Sequence, residues 1–137
     1  MRERTLLILK PDLAARESDA LAVLIRVLAL GFVPTHLVRG TMSTWEASLL
    51  YHEHRHATHF ARNVAFMTSG PSIVVALEAE DACARLRELV GSTDPSKAQP
   101  GTLRATYGTG LPQNAVRASA NAAEAEREIG IFFGGEQ

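Results

Sequence analysis

Two uninterrupted apolar runs, Thr5-Leu6-Leu7-Ile8-Leu9 and Ile73-Val74-Val75-Ala76-Leu77, constrain the fold of this chain more than any other feature. A strand with one wet face alternates apolar and polar residues, and a surface helix interrupts its apolar stripe every third or fourth position. Neither pattern is present. Five consecutive apolar or β-branched residues, the first run halted by Pro11 and the second preceded by Ser69-Gly70-Pro71, are the signature of buried strands near the centre of a sheet.

Between and beyond these runs the chain reads as helices and weaker strands. Leu21, Leu24, Ile25 and Leu28 recur at helical spacing before Gly31, a natural helix stop. Phe32 to Arg39 suits a strand, with Pro34 confining it to an edge or an irregular position because proline has no ladder donor. Ser43-x-x-Glu46 has the form of a capping box and predicts a helix running to about His56. A short helix is expected over Phe60 to Thr68, and another over Asp81 to Val90, closed by Gly91. Ser92 to Gln113, rich in proline and glycine, reads as a long loop of the kind retained for function. Asn121 with Glu124 would cap a last helix through Ile131. The alternation implies one α/β or α+β domain over residues 1–137.

Composition narrows the function classes. With 137 residues, 46% of them apolar and 21% charged, the chain has material for one core. A formal charge of −1 provides no general attraction to nucleic acid or to an anionic membrane, so phosphate binding would need a local cation cluster. The single cysteine, Cys83, excludes an internal disulfide and reads as a small buried residue of a helix. The charged opening Met1-Arg2-Glu3-Arg4 precedes too short an apolar run for a signal peptide or a membrane span, so a cytoplasmic setting is expected.

Several blocks then occur in a fixed order. They are Glu3-Arg4-Thr5, Lys10-Pro11-Asp12, Tyr51-x-Glu53-His54, Phe66-Met67-Thr68-Ser69-Gly70-Pro71, Gly91-x-Thr93-Asp94-Pro95, Pro100-Gly101-Thr102-Leu103-Arg104 and Asn114-x-x-Arg117-x-Ser119. Together they resemble the nucleoside diphosphate kinases over nearly the whole chain. That resemblance implies a ferredoxin-like α/β sandwich, a four-stranded antiparallel sheet with helices packed against it. It also implies a homo-oligomer, hexamer or tetramer, that binds nucleoside di- and triphosphates with Mg2+ carried on the phosphates. Lys10 and Tyr51 match residues beside the transferred phosphate, Arg87, Thr93 and Arg104 match those gripping the phosphates, and Asn114 matches the residue meeting the ribose hydroxyl. His59 stands where an aromatic stacks on the base, and Leu111 where a smaller branched residue covers its other face.

The departure lies at the chemical centre. The family pattern Asn-x-x-His-Gly-Ser-Asp is here Asn114-Ala115-Val116-Arg117-Ala118-Ser119-Ala120. The family's histidine accepts the phosphoryl group covalently. A guanidinium, with a pKa above about 12 and no free lone pair, can hold a phosphate but cannot attack one. Ser119 persists, as does Glu128, whose counterpart orients the catalytic imidazole. Two poses are open for Arg117: pairing with Glu128, or reaching a terminal phosphate.

Two function classes follow. One is a nucleotide-binding member without phosphohistidine chemistry, acting as a sensor, scaffold or partner subunit. The other is an active phosphotransferase that works by direct transfer or through another acceptor residue. A remote third comes from His52-Glu53-His54-Arg55-His56, which satisfies the zinc spacing His-Glu-x-x-His. Its extended form fails, because His59 stands at the glycine position and Arg62 at the final histidine.

Overall fold

The computed structural model describes residues 2–134; of the expected domain, Met1 and residues 135–137 lie outside the described part. Strands β1 (Arg2–Leu9), β2 (Val33–Thr41), β3 (Pro71–Glu80) and β4 (Val116–Ala118) form one sheet in the order β2-β3-β1-β4. Every neighbouring pair is antiparallel. The two apolar runs are the two inner strands, paired from Thr5 opposite Leu77 to Leu9 opposite Ile73.

Alternation along these strands feeds two cores, one on each face of the sheet. Leu7, Leu9, Val75 and Leu77 pack with Leu13 and Ala14 of α1 (Pro11–Ala14) and with Ala20, Val23 and Val27 of α2 (Glu17–Ala29). Leu86 and Val90 of α5 (Ala82–Val90) close the same face. Leu6, Ile8, Val74 and Ala76 face the other way, onto Ala47 and Leu50 of α3 (Thr44–Leu50), Met67 of α4 (Phe60–Met67) and Ile129 of α7 (Ala122–Phe133). The result is the expected ferredoxin-like α/β sandwich with a four-stranded antiparallel sheet.

Several local expectations needed correction. The helix from Ser43 stops at Leu50, and His52–His54 form a separate 3-10 turn, so His52 and His56 do not share an α-helical face. The capping box itself is real: Ser43 Oγ accepts from the Glu46 N–H at 3.0 Å and Glu46 Oε1 accepts from the Ser43 N–H at 2.9 Å. The expected loop 92–113 contains a 3-10 turn, Pro95–Lys97, and the helix α6 (Leu103–Tyr107), begun by Thr102 capping the Ala105 N–H. Helix α2 turns its small residues Ala20, Val23 and Val27 to the sheet, where they permit close approach, and leaves Leu21 and Ile25 58% exposed. Pro34 does sit on an edge strand, beside a bulge between Pro34 and His36. Cys83 is buried as expected. Among the described residues no helix is long and apolar enough to cross a membrane.

Gly91, after α5, has φ +89, and a Cβ there would lie 2.6 Å from Thr102 Oγ1. Its carbonyl accepts from Arg104 Nη1 at 2.9 Å. Gly91→Ala is therefore expected to cost about 2 kcal/mol through backbone strain and the clash, measured by urea denaturation. An alanine variant as stable as the parent would contradict this reading of the turn.

Candidate functional site

The site grows from the register of β4. Arg117 pairs with Ile8, so its side chain leaves the sheet on the same face as Ile8, toward α3 and α7. Its neighbours Val116 and Ala118 turn into the opposite core. On the face it enters, Arg117 meets Glu128, a carboxylate only 1% exposed on α7. Nη1 donates to Glu128 Oε1 at 2.9 Å and Nη2 to Oε2 at 3.0 Å, a two-pronged pair. Ser119 Oγ donates to the same Oε1 at 2.6 Å. The guanidinium also lies over the Tyr51 ring, 5.4 Å from its centroid. Of the two open poses for Arg117, pairing with Glu128 is the one adopted. Burial opposes the charge on Arg117, but the hydrogen bonds and charge of Glu128 outweigh it and push its pKa up.

Helix α7 is fixed so that Glu128 stays in place. Asn121 Oδ1 accepts from the Glu124 N–H at 2.9 Å, capping the helix as expected. Arg127 donates to Leu49 O and Leu50 O and also engages Glu124, tying α7 to the end of α3 just before Tyr51. Tyr51 itself is buried, and that burial pushes its hydroxyl pKa up.

Lys10, which follows β1, is 5% exposed. Its ammonium donates to Pro112 O at 2.8 Å and to Asn114 Oδ1 at 2.7 Å, both neutral acceptors. The Asn114 amide in turn donates to Thr93 O at 2.9 Å. Burial drives the Lys10 pKa down to about 7; Asp12 opposes the fall, and Arg104, Arg117 and Arg62 add to it. Arg104 binds Gly91 O and Val116 O and is itself lowered to about 10 by burial, then by Arg87 and Arg117. The Arg87 guanidinium makes no hydrogen bond or ion pair among the described residues.

These groups open onto one pocket of about 460 Å³. It gathers Lys10, Tyr51, His59, Arg87, Thr93, Arg104, Leu111, Asn114, Arg117 and Glu128, all anticipated from the sequence. Ser119 is fully buried and stands behind Glu128, outside the lining. Arg62, in α4 and three residues past His59, also lines the pocket and was missed; its helical spacing from His59 was the available signal. Asp12 was missed as well. Its Oδ2 accepts from the Ala115 N–H at 3.0 Å, holding Ala115 at φ 74 between Asn114 and Val116. Asp12 thereby positions a backbone conformation that a residue with a Cβ adopts only under constraint. Among the described residues no group of three or more His, Cys, Asp or Glu side chains could hold a metal ion.

A desolvated ammonium without a carboxylate against it is poised to recharge when an anion arrives. Between about pH 7 and Lys10's ordinary pKa of 10.5, the unfolded chain binds more protons than the folded one. The penalty of charging Lys10 is complete below about 7 and disappears as pH rises through 10.5, so this group makes the empty protein more stable with rising pH in that window. For an anionic ligand the sign reverses. Binding should take up a proton near neutrality, and affinity should fall as pH rises above about 7. Calorimetry in buffers of different ionisation heat measures that uptake; identical apparent enthalpies in all of them would refute it.

The chain matches a family model described as nucleoside diphosphate kinase over residues 3–137. It is 44% identical to a nucleoside diphosphate kinase of Sorangium cellulosum (strain So ce56), over 97% of this chain and 92% of that protein. Among solved structures, Aquifex aeolicus nucleoside diphosphate kinase superposes with a TM-score of 0.91 at 37% identity, covering 97% of this chain and 96% of the other. A halophilic nucleoside diphosphate kinase from Halobacterium salinarum, solved in complex with CDP, gives a TM-score of 0.91 at 33% identity, covering 97% and 88%.

Proposed function

The chain belongs to the nucleoside diphosphate kinase family, and we propose that within it this protein is a nucleotide-binding member, one domain over 1–137, that does not transfer phosphoryl groups through a phosphohistidine. The observation that carries the proposal is the two-pronged Arg117–Glu128 pair. It supports a reading in which a permanently charged, non-nucleophilic group stands where the family resemblance expects the acceptor, paired with the carboxylate that would orient an imidazole. The groups suited to hold phosphate are meanwhile assembled around it.

In this reading Arg87, Thr93 and Arg104 grip the phosphates and Lys10 neutralises charge beside Tyr51. Asn114 exchanges its contact with Thr93 O for the ribose, and His59 and Leu111 flank the base at the rim. Two of the pocket's three carboxylates, Glu124 and Glu128, are engaged by Arg127 and Arg117. This donor set suits Mg2+ that is held by phosphate oxygens and water rather than by the protein. Such an ion would offset phosphate charge while the protein's own cations fix the tail.

A homo-oligomer, hexamer or tetramer, is part of the same proposal. Its support is the apolar surface left open on α2 and β2, where Leu21, Ile25, Leu28, Leu37 and Val38 are all exposed. Sedimentation in solution tests it, a monomer being the contrary result. The binding function is tested by titrating the protein with ADP and ATP in excess Mg2+. Saturable binding is expected, and its absence for both nucleotides would remove the proposal.

A further inference from the structure

Lysine is scarce in this chain: of its 14 lysines and arginines, only Lys10 and Lys97 are lysines. A guanidinium stays charged and offers no lone pair, whereas a lysine amine becomes a nucleophile once it loses its proton. Lys97 ends the exposed 3-10 turn Pro95–Lys97. Lys10, 5% exposed, lines the pocket that holds the phosphate-binding groups.

The hydrogen bonds of Lys10 match a neutral amine. Its Nζ donates to Pro112 O at 2.8 Å and to Asn114 Oδ1 at 2.7 Å, and an –NH2 group has two N–H bonds to give. Both are then satisfied, and the remaining position on the nitrogen is a lone pair. An ammonium would carry a third N–H there, for which the described residues provide no oxygen or nitrogen acceptor. The Phe66 ring, its centroid 5.5 Å away, also faces the nitrogen. The surrounding charges act in the same direction. Arg104 of α6, Arg117 of β4 and Arg62 of α4 disfavour the ammonium, and Asp12 of α1 opposes them. Together with burial, the largest cause, they bring the Lys10 pKa to about 7. At about pH 7.5 more than half of Lys10 is then free amine, against about a thousandth of an ordinary lysine.

Phosphate-holding groups share the cavity with this amine. The Arg87 guanidinium has no partner among the described residues, and Arg104 gives three of its five N–H donors to Gly91 O and Val116 O, keeping two. Such forks bind phosphate oxygens with charge-assisted hydrogen bonds. The cavity of about 460 Å³ lies within the range of about 300–1,000 Å³ typical of small-molecule sites. It therefore suits a molecule with a phosphate at one end and an electrophilic carbon at the other.

We propose that this pocket captures phosphorylated aldehydes, Lys10 forming a reversible imine with the carbonyl carbon while Arg87 and Arg104 hold the phosphate. The amine lone pair adds to the carbonyl carbon as the C=O π pair moves to oxygen. One amine proton passes to that oxygen, giving a carbinolamine. The hydroxyl then leaves with the other amine proton as water, and the nitrogen pair closes the C=N bond. No oxidant or second substrate is consumed, and water reverses the reaction. The guanidiniums neutralise the phosphate, so its charge does not fall on the amine. A captured aldehyde occupies the phosphate site and excludes nucleotides. The inference rests on the phosphate-holding part of the function proposed for this pocket, and not on recognition of a base.

The test uses the intact protein and pyridoxal 5′-phosphate, with borohydride reduction to fix the imine and peptide mass analysis to locate it. Lys10 should carry at least about tenfold more label than Lys97, the gain in free amine being partly offset by the weaker nucleophilicity of a less basic nitrogen. Pyridoxal, which lacks the phosphate, should label Lys10 about tenfold less, a loss equal to one charge-assisted hydrogen bond. Labelling should rise between about pH 6 and pH 8, opposite in sign to the affinity for nucleotides, and saturating inorganic triphosphate should suppress it. Equal label on the two lysines, equal label from pyridoxal and its phosphate, a yield that falls over that pH range, or label indifferent to triphosphate would each overturn the inference. ADP or ATP binding with Lys10 unlabelled sinks the inference alone and leaves the proposed nucleotide binding standing. A labelled Lys10 in a protein that binds neither nucleotide does the reverse.

Discussion

Replacing Arg117 by alanine should lower the unfolding free energy by about 3 kcal/mol or more. The change strands a carboxylate that is 1% exposed, with Ser119 Oγ as its remaining close donor among the described residues and Arg127 Nη2 at 3.7 Å. The cost arises from the uncompensated charge more than from the loss of the pair's attraction. It should sit near the lower end of the range for broken buried pairs, because Arg117 itself is partly solvated, its side chain 21% exposed. Urea denaturation of three proteins separates these contributions. R117A should be the least stable, and R117A/E128Q should recover a large part of the loss by neutralising the stranded group. A loss below about 1 kcal/mol in R117A would mean that Glu128 is relieved by water or by Arg127, and that the pair is not what holds β4 and α7 together.

Lys10→Met should have the opposite profile, with a large loss of affinity and little loss of stability. The ammonium is buried, its pKa is drawn down to about 7, and its acceptors are neutral oxygens, so the empty protein gains little from the charge. Methionine fills a similar linear volume, and the two lost hydrogen bonds are offset by the ended desolvation of a cation, leaving a net change within about 1 kcal/mol. A bound phosphate uses the charge fully. Loss of charge-assisted contacts should weaken ATP binding by about 100-fold. Calorimetry and urea denaturation on the same preparation check both halves. An unchanged affinity would place the phosphates away from Lys10, and a loss of several kcal/mol would make Lys10 a structural group.

How far the sequence could be read depended on how far each local signal exceeded its competitors. The strands around Leu7 and Val75 were legible because no helix tolerates such runs unless buried all round. β4 was not legible from periodicity: three residues, Val116-Arg117-Ala118, carry no period, and the strand exists because β1 offers it an unpaired edge. Helix α2 was visible from the spacing of Leu21, Leu24, Ile25 and Leu28, a signal that did not say which of its residues meet the sheet. Ala20, Val23 and Val27 fit the short distance to the sheet and leave Leu21 and Ile25 outside. α6 was hidden in a proline- and glycine-rich stretch although Thr102 supplies its cap, a signal that composition outweighed. At the site, the anticipated cations were placed by family likeness. Arg62 and Asp12 were missed for different reasons: one reaches the pocket only through the packing of α4, and the other acts through the backbone at Ala115.

The most direct test of a phosphate-holding site without a histidine acceptor is incubation of the protein with γ-labelled ATP, Mg2+ and a nucleoside diphosphate at concentrations where calorimetry shows both nucleotides bound. The Arg117–Glu128 pair predicts no label retained on the denatured protein and no labelled triphosphate formed from the diphosphate above the protein-free rate. Labelled product accumulating at enzymatic turnover would contradict it, whether or not the label passed through a side chain.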